Sequence, residues 1–189
     1  MMQIRNSADL ASYDALSIPD RRRTYDEVMS SDDRKRMGEL RAFLEFVKAS
    51  SLAIDPSSAV CLDPPYPDIG CRLLSSPYFF ELGEVTDEGL ARRYSESLRT
   101  GRITGGSYSQ DEPLKSIITS KAQKTYQTGG VPVDLLLYYW KQPPYDPVIQ
   151  QSLIELRDVI DHILSSGPFS RIWLYEYPKM VLASFGSER

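Results

Sequence analysis

Pro67-Asp68, a short apolar run, Glu81-Leu82-Gly83-Glu84 and then Lys121 are the residues of this chain with chemistry in reach. Acidic groups at the ends of two neighbouring strands, with one lysine aimed at the same place, are what a hard divalent cation and a phosphodiester under attack require. Asp68 opens one predicted strand and Glu81 lies inside the next. Residues two apart in a strand share a face, so Phe79, Glu81, Gly83 and Val85 point one way and Tyr78, Phe80, Leu82 and Glu84 the other. Glu81 therefore sits among apolar neighbours, where a carboxylate is costly unless it is paired or bound to a cation. If the two strands are neighbours, Asp68 reaches the same end of the sheet. Two carboxylates and a backbone carbonyl, that of Leu82, would leave room for waters on an octahedral Mg²⁺ or Mn²⁺ ion.

Lys121 falls near the centre of the apolar face made by Leu114, Ile117 and Ile118 at about 100° per residue, whereas Lys115 and Lys124 lie toward its flanks. A lysine on an inward stripe either snorkels past the core or delivers its ammonium to a buried acid. The second option suits Glu81 and Asp68, and such an ammonium would orient a water nucleophile or stabilise a pentavalent phosphate. Simpler readings stand beside these: Asp68 as a turn residue bonding local N–H groups, Glu81 as an edge-strand charge facing water, Lys121 as an ordinary salt-bridge partner. Glu84 is a solvent residue, or an auxiliary ligand if a bulge shifts the register.

The elements that must position these groups follow from periodicity. The pattern turns helical from Thr24, with Ser31-Asp32-Asp33 as a capping cluster and Met37, Leu40, Phe43, Leu44 and Val47 as an apolar stripe ending at Ser50-Ser51. Glu39 borders that stripe and Glu45 points to solvent. Residues 51 to 66 read as loop, with Ala59 to Leu62 briefly extended. Strands are predicted over Ile69 to Leu74 and Tyr78 to Val85, turning at Ser75-Ser76-Pro77. A charged helix, Asp87 to Arg99, and a glycine- and serine-rich loop, Thr100 to Pro113, come next. Leu114 to Gln127 is predicted helical, Val131 to Tyr139 a strand apolar on both faces, Asp146 to Ser165 a helix, and Arg171 to Tyr177 with Met180 to Phe185 a closing hairpin. The order implies one α/β domain over residues 24–189, with a mixed central sheet flanked by helices, preceded by an N-terminal arm, 1–23, that is ill-ordered or forms a short capping helix.

The 189 residues suffice for one substantial core, and no apolar run approaches the roughly 18 to 20 residues of a membrane span. The start carries no basic region followed by an apolar one, so the expected setting is cytoplasmic. Cys61 and Cys71 lack paired zinc spacing and are expected as thiols. His162 has no second histidine to make a metal centre or a base for a serine or cysteine nucleophile, and no phosphate-loop motif is present. A net charge of -4 argues mildly against a surface that grips nucleic acid all over. Between Arg92 and Lys124, however, Arg92, Arg93, Arg99, Arg102, Lys115, Lys121 and Lys124 outnumber Glu96, Asp111 and Glu112, which makes either a phosphate-facing side or a solvated helix face. Tyr108 and Tyr126 are candidates to stack on bases, a weak signal in a chain with twelve tyrosines.

Pro67-Asp68, with Glu81 at the middle of the next strand, resembles the PD-(D/E)XK nuclease superfamily. Its pattern is an acidic residue after proline, then an acidic residue and a lysine two positions apart. Here Gly83 stands where that lysine would be. Some branches move the lysine to a following helix, for which Lys121 is the candidate, and Glu39 matches an acidic residue often found on the first helix. The resemblance covers roughly Arg36 to Tyr139. It implies a restriction-endonuclease-like fold, Asp68, Glu81 and the Leu82 carbonyl as metal ligands, Lys121 and Glu39 as further catalytic groups, Mg²⁺ or Mn²⁺ as cofactor, and a nucleic-acid partner, DNA before RNA. No membrane partner is expected, and a homodimer is left open. The missing motif lysine also suits an inactive descendant, a binding or scaffold subunit using Tyr138, Tyr139 and Trp140.

Overall fold

A computed structural model describes residues 2–85, 113–140 and 153–186. The predicted helix Asp87 to Arg99, nearly all of the loop Thr100 to Pro113, Tyr108, and the start of the helix predicted from Asp146 lie outside the described residues.

Six strands form one mixed sheet in chain order: β1 (Val60–Cys61), β2 (Ile69–Leu73), β3 (Ser76–Glu84), β4 (Val133–Tyr139), β5 (Phe169–Glu176) and β6 (Met180–Gly186). β1, β2 and β3 pair antiparallel, β3, β4 and β5 run parallel, and β6 returns antiparallel. All seven residues of β4 are buried, as expected for a central parallel strand covered on both faces. The β2–β3 turn is tighter than predicted. Leu73 pairs with Ser76, so Leu74 and Ser75 alone make the turn, both at positive φ, and Pro77 lies inside β3. Bonds from the Leu74 N–H to the Ala53 carbonyl and from the Asp55 N–H to the Arg72 carbonyl hold that uncommon conformation.

Helices α1 (Ser7–Asp14), α2 (Ile18–Arg23) and α3 (Ser31–Ala49) precede the sheet, and α4 (Pro113–Ala122) and α5 (Arg157–Ser166) lie between strands. The helical pattern beginning at Thr24 resolves into a single wide turn, Thr24–Val28, before α3. Ser30 caps α3: its hydroxyl accepts the Asp33 N–H at 3.1 Å and donates to the Asp33 carboxylate at 2.6 Å. Among the described residues, no helix is long and apolar enough to cross a membrane.

Apolar side chains divide between the two faces. On one, α3 sets Leu40, Phe43 and Phe46 against Tyr78, Phe80, Leu82, Leu136, Trp173 and Tyr175. Phe46 meets Phe80, Trp173 and Tyr175 edge-on at 5.9, 5.3 and 5.7 Å, while Leu44, expected in the stripe, is only half-buried. On the other face α4 and α5 bury Ile118, Ile160 and Ile163 against Leu135, Leu137, Ile172 and Leu174. Residues 2–23 are more than an arm. The helical alternative is the one that forms, and Ile4, Leu10 and Tyr13 join the α3-side core. Asn6 bridges Val60, and the Cys61 N–H donates to the Arg5 carbonyl at 2.6 Å, so this segment covers the edge that β1 would otherwise expose.

Phe46→Ala should lower the unfolding free energy by about 3 to 5 kcal/mol, read from urea denaturation, because it empties the centre of an aromatic cluster. An unchanged urea midpoint would mean that α3 does not rest on the sheet in this way.

Candidate functional site

The pairing of β2 with β3 ends at Ile69 and Phe80, so β3 continues past the start of β2. Asp68 sits at that vacated end. Its Oδ2 accepts the Leu82 N–H at 2.8 Å, occupying the place a further β2 residue would take. The N–H and C=O of one strand residue project to the same side, which directs the Leu82 carbonyl toward Asp68 as well.

Glu81 belongs to the opposite class of position. It is 1% exposed and shares the α4 face with Gly83. A Cβ on Gly83 would lie 2.9 Å from both Ile117 Cγ2 and Leu137 Cδ2, and 4.0 Å from Lys121 Cε. The missing side chain lets α4 approach the strand, and the Lys121 stem crosses beside the gap. Lys121 Nζ ends 2.6 Å from Glu81 Oε1 and 3.5 Å from Asp68 Oδ2. Burial alone would lower the lysine's pKa. The charges of Asp68 and Glu81, with the hydrogen bond to Glu81, outweigh it, so the net shift is upward and the ammonium stays charged.

Lys124, expected on a helix flank, is also in the cluster, with Nζ 2.8 Å from the same Glu81 oxygen. Its arrival depends on where α4 stops. The helix ends at Ala122 rather than Gln127, because the Lys121 carbonyl accepts the Lys124 N–H at 3.2 Å and the Tyr126 hydroxyl at 3.1 Å, while the Gln127 N–H donates to Pro65 at 3.1 Å. That last bond ties the end of α4 to the loop that carries Asp68. Burial, then the negative charges of Glu81 and Asp68, push the Tyr126 phenol well above its ordinary range, so it remains a neutral donor.

Glu39 comes from the other layer. It is buried on α3, with Lys35 Nζ at 3.3 Å. Burial and the charge of Asp68 raise its pKa to about 7, against the opposing pull of Lys35 and Lys121. The structure thus draws Asp68, Glu81, Lys121 and the Leu82 backbone together, with Glu39 within electrostatic reach of Asp68. Glu84 is excluded as an alternative ligand: β3 has no bulge there, and Glu84 is exposed on the face away from Glu81.

The donor set suits a hard cation, being two carboxylates and a carbonyl with no thiolate or imidazole. Among the described residues no three His, Cys, Asp or Glu side chains are grouped to hold a metal. What converges is two carboxylates and two ammonium groups. Cys61 and Cys71 are buried free thiols, each pushed up to about 12 chiefly by burial. His162 is exposed on α5. The expected aromatic surface is reduced: Tyr138 and Tyr139 are buried on opposite faces, and Trp140, half-buried, stacks on Tyr177 at 4.4 Å. The sequence reading passed over Asp134, fully buried in β4, which accepts the Tyr78 hydroxyl at 2.7 Å and the Trp173 indole N–H at 2.9 Å. An acid interrupting an apolar strand was its one signal. It faces the α3 core, across the sheet from Glu81.

Compared with known proteins, the chain matches no family model, no curated protein and no solved structure.

Gly83→Ala should cost roughly 1 to 3 kcal/mol in chemical denaturation, since the new methyl overlaps two packed methyls, and a neutral result would mean that α4 lies farther from β3. Glu39 sets a pH dependence. With its folded pKa raised from 4.5 to about 7, the folded state holds the proton more tightly than the unfolded chain does. Its contribution to stability is therefore full below about 4.5 and is lost as pH rises through about 7, amounting to roughly 3 kcal/mol at ~1.4 kcal/mol per unit. Glu39→Gln should flatten that slope in urea unfolding between pH 4.5 and 8; an identical slope would remove Glu39 as its source.

Proposed function

We propose that this chain is a metal-dependent nuclease of the PD-(D/E)XK type, with a restriction-endonuclease-like fold, hydrolysing phosphodiester bonds in DNA. The observation that carries the reading is the position of the Lys121 ammonium, 2.6 Å from Glu81 and 3.5 Å from Asp68, reached across the place that a side chain at Gly83 would fill. A helix-borne lysine thereby meets the acidic pair that a strand-borne lysine meets in the superfamily pattern. The order of α3, the strands carrying Asp68 and Glu81, α4 and β4 is in keeping with it.

Asp68, Glu81 and the Leu82 carbonyl would hold Mg²⁺ or Mn²⁺, whose chemistry when bound is to acidify a water and offset charge on the phosphate. Lys121, kept charged by its two acidic neighbours, orients the attacking water or stabilises the pentavalent phosphate. Attack by water oxygen breaks the bond from phosphorus to the leaving sugar oxygen, giving a phosphate monoester end and a hydroxyl end. Glu39 tunes the local field from the opposite layer through its coupling to Asp68.

One observation favours a second reading. Asp68 already accepts the Leu82 N–H, and Glu81 already holds two ammonium groups, so the cluster is satisfied as a structural ion network on a binding or scaffold protein. Calorimetry with Mn²⁺ and cleavage of plasmid and single-stranded DNA separate the two. The nuclease reading expects one metal site, lost in Asp68→Ala and Glu81→Ala, and cleavage reduced about 10²- to 10³-fold in Lys121→Ala. A folded wild-type protein that neither binds Mn²⁺ nor cuts would establish the scaffold instead, and cutting unchanged in Lys121→Ala would assign it to another site or a contaminant.

A further inference from the structure

Two ammonium groups share one oxygen of one carboxylate, and they differ in every other respect. Lys121 is 16% exposed and has Asp68 as a second anchor. The Lys124 side chain is 51% exposed, lies beyond the last residue of α4, and among the described residues pairs with Glu81. A cation drawn to the Asp68 and Glu81 carboxylates competes with both lysines, and the more solvated, singly held one costs less to release. Once detached, its ammonium returns to solvent, while Asp68, 21% exposed, remains the more open carboxylate and Glu81, 2% exposed, the enclosed one. Without an incoming ligand the four side chains balance, two positive against two negative. Adding a divalent cation leaves a positive excess that an anion would offset, and Lys124, the more exposed of the two lysines on Glu81, is the one free to meet it.

We infer that Lys124 is an exchangeable plug: it closes the acidic pair when the site is idle, and leaves Glu81 to bind a phosphate of the nucleic-acid backbone when metal and substrate arrive. This inference rests on the nuclease reading. It assigns one lysine two opposed effects, hindering the metal alone and helping the substrate, and no purely structural salt bridge produces that pair.

Lys124→Ala tests it, since a half-exposed residue past a helix end can be truncated without disturbing the fold, and thermal unfolding checks that it has been. Exposed Lys115 on α4 supplies the control as Lys115→Ala. Titration with MnCl₂ and no DNA should give Lys124→Ala about two- to fivefold tighter binding than wild type, with Lys115→Ala unchanged. Binding of a DNA duplex in Ca²⁺ should weaken in Lys124→Ala, with the slope of log affinity against log salt reduced by about 0.9, the loss of one phosphate contact. If wild type binds Mn²⁺ and cuts DNA, but Lys124→Ala leaves both metal affinity and salt slope as they were, the plug is refuted and the nuclease reading stands. If Lys124→Ala weakens Mn²⁺ binding, the lysine supports the metal site and the inference is likewise refuted. Wild type that neither binds Mn²⁺ nor cuts overturns both.

Discussion

The ion pair between Lys121 and Glu81 is the constraint around which the rest of the molecule is arranged. A carboxylate inside a central strand, 1% exposed, is tolerable only with a cation at hydrogen-bond distance, and the cation has to come from the helix packed on that face. That helix approaches closely enough only because position 83 has no side chain. The lysine in turn is held by the way α4 ends, with the Tyr126 hydroxyl on the Lys121 carbonyl and Gln127 fastened to Pro65. Disturbing any one of these moves Lys121 off Glu81 and leaves the buried carboxylate to the more exposed Lys124.

The cluster is also asymmetric across the sheet. From the α4 side come two ammonium groups, while from the α3 side comes Glu39, its pKa raised to about 7 by burial and Asp68. Asp68 sits between them at the sheet end where β2 begins, held by the Leu82 N–H of β3 and by the Lys121 ammonium of α4. Both layers thus act on one carboxylate. The uncovered length of β3 beside Asp68, a consequence of β2 being shorter than β3, is what makes this meeting place.

Much of this was legible in the residues. Alternation in Tyr78 to Val85 placed Glu81 and Gly83 on one face, a continuous apolar run identified β4, and the helical wheel turned Lys121 inward. Those features are local and periodic, so pattern alone reveals them. The end of α4 at Ala122 was not legible, because it depends on a bond to Pro65 from a distant part of the chain; with a continued helix Lys124 stays on a flank, and with the helix stopped it reaches Glu81. Ile4, Leu10 and Tyr13 were missed for a like reason: their burial comes from pairing with β1 and packing on α3, not from a repeat of their own. The β2–β3 turn escaped because Leu74 and Ser75 are not residues that announce positive φ.

Strand order that follows chain order has a spatial corollary. Every charged group of the cluster comes from between Glu39 and Lys124, and β5 and β6 stand on the far side of β4. The charged cluster is thereby confined to one part of the sheet, with the fully buried β4 as a party wall between it and the closing hairpin. Along the sheet, an alteration at the β6 edge, such as a longer hairpin, would have to cross β5 and β4 before reaching any group of the cluster, leaving the two parts free to diverge at different rates.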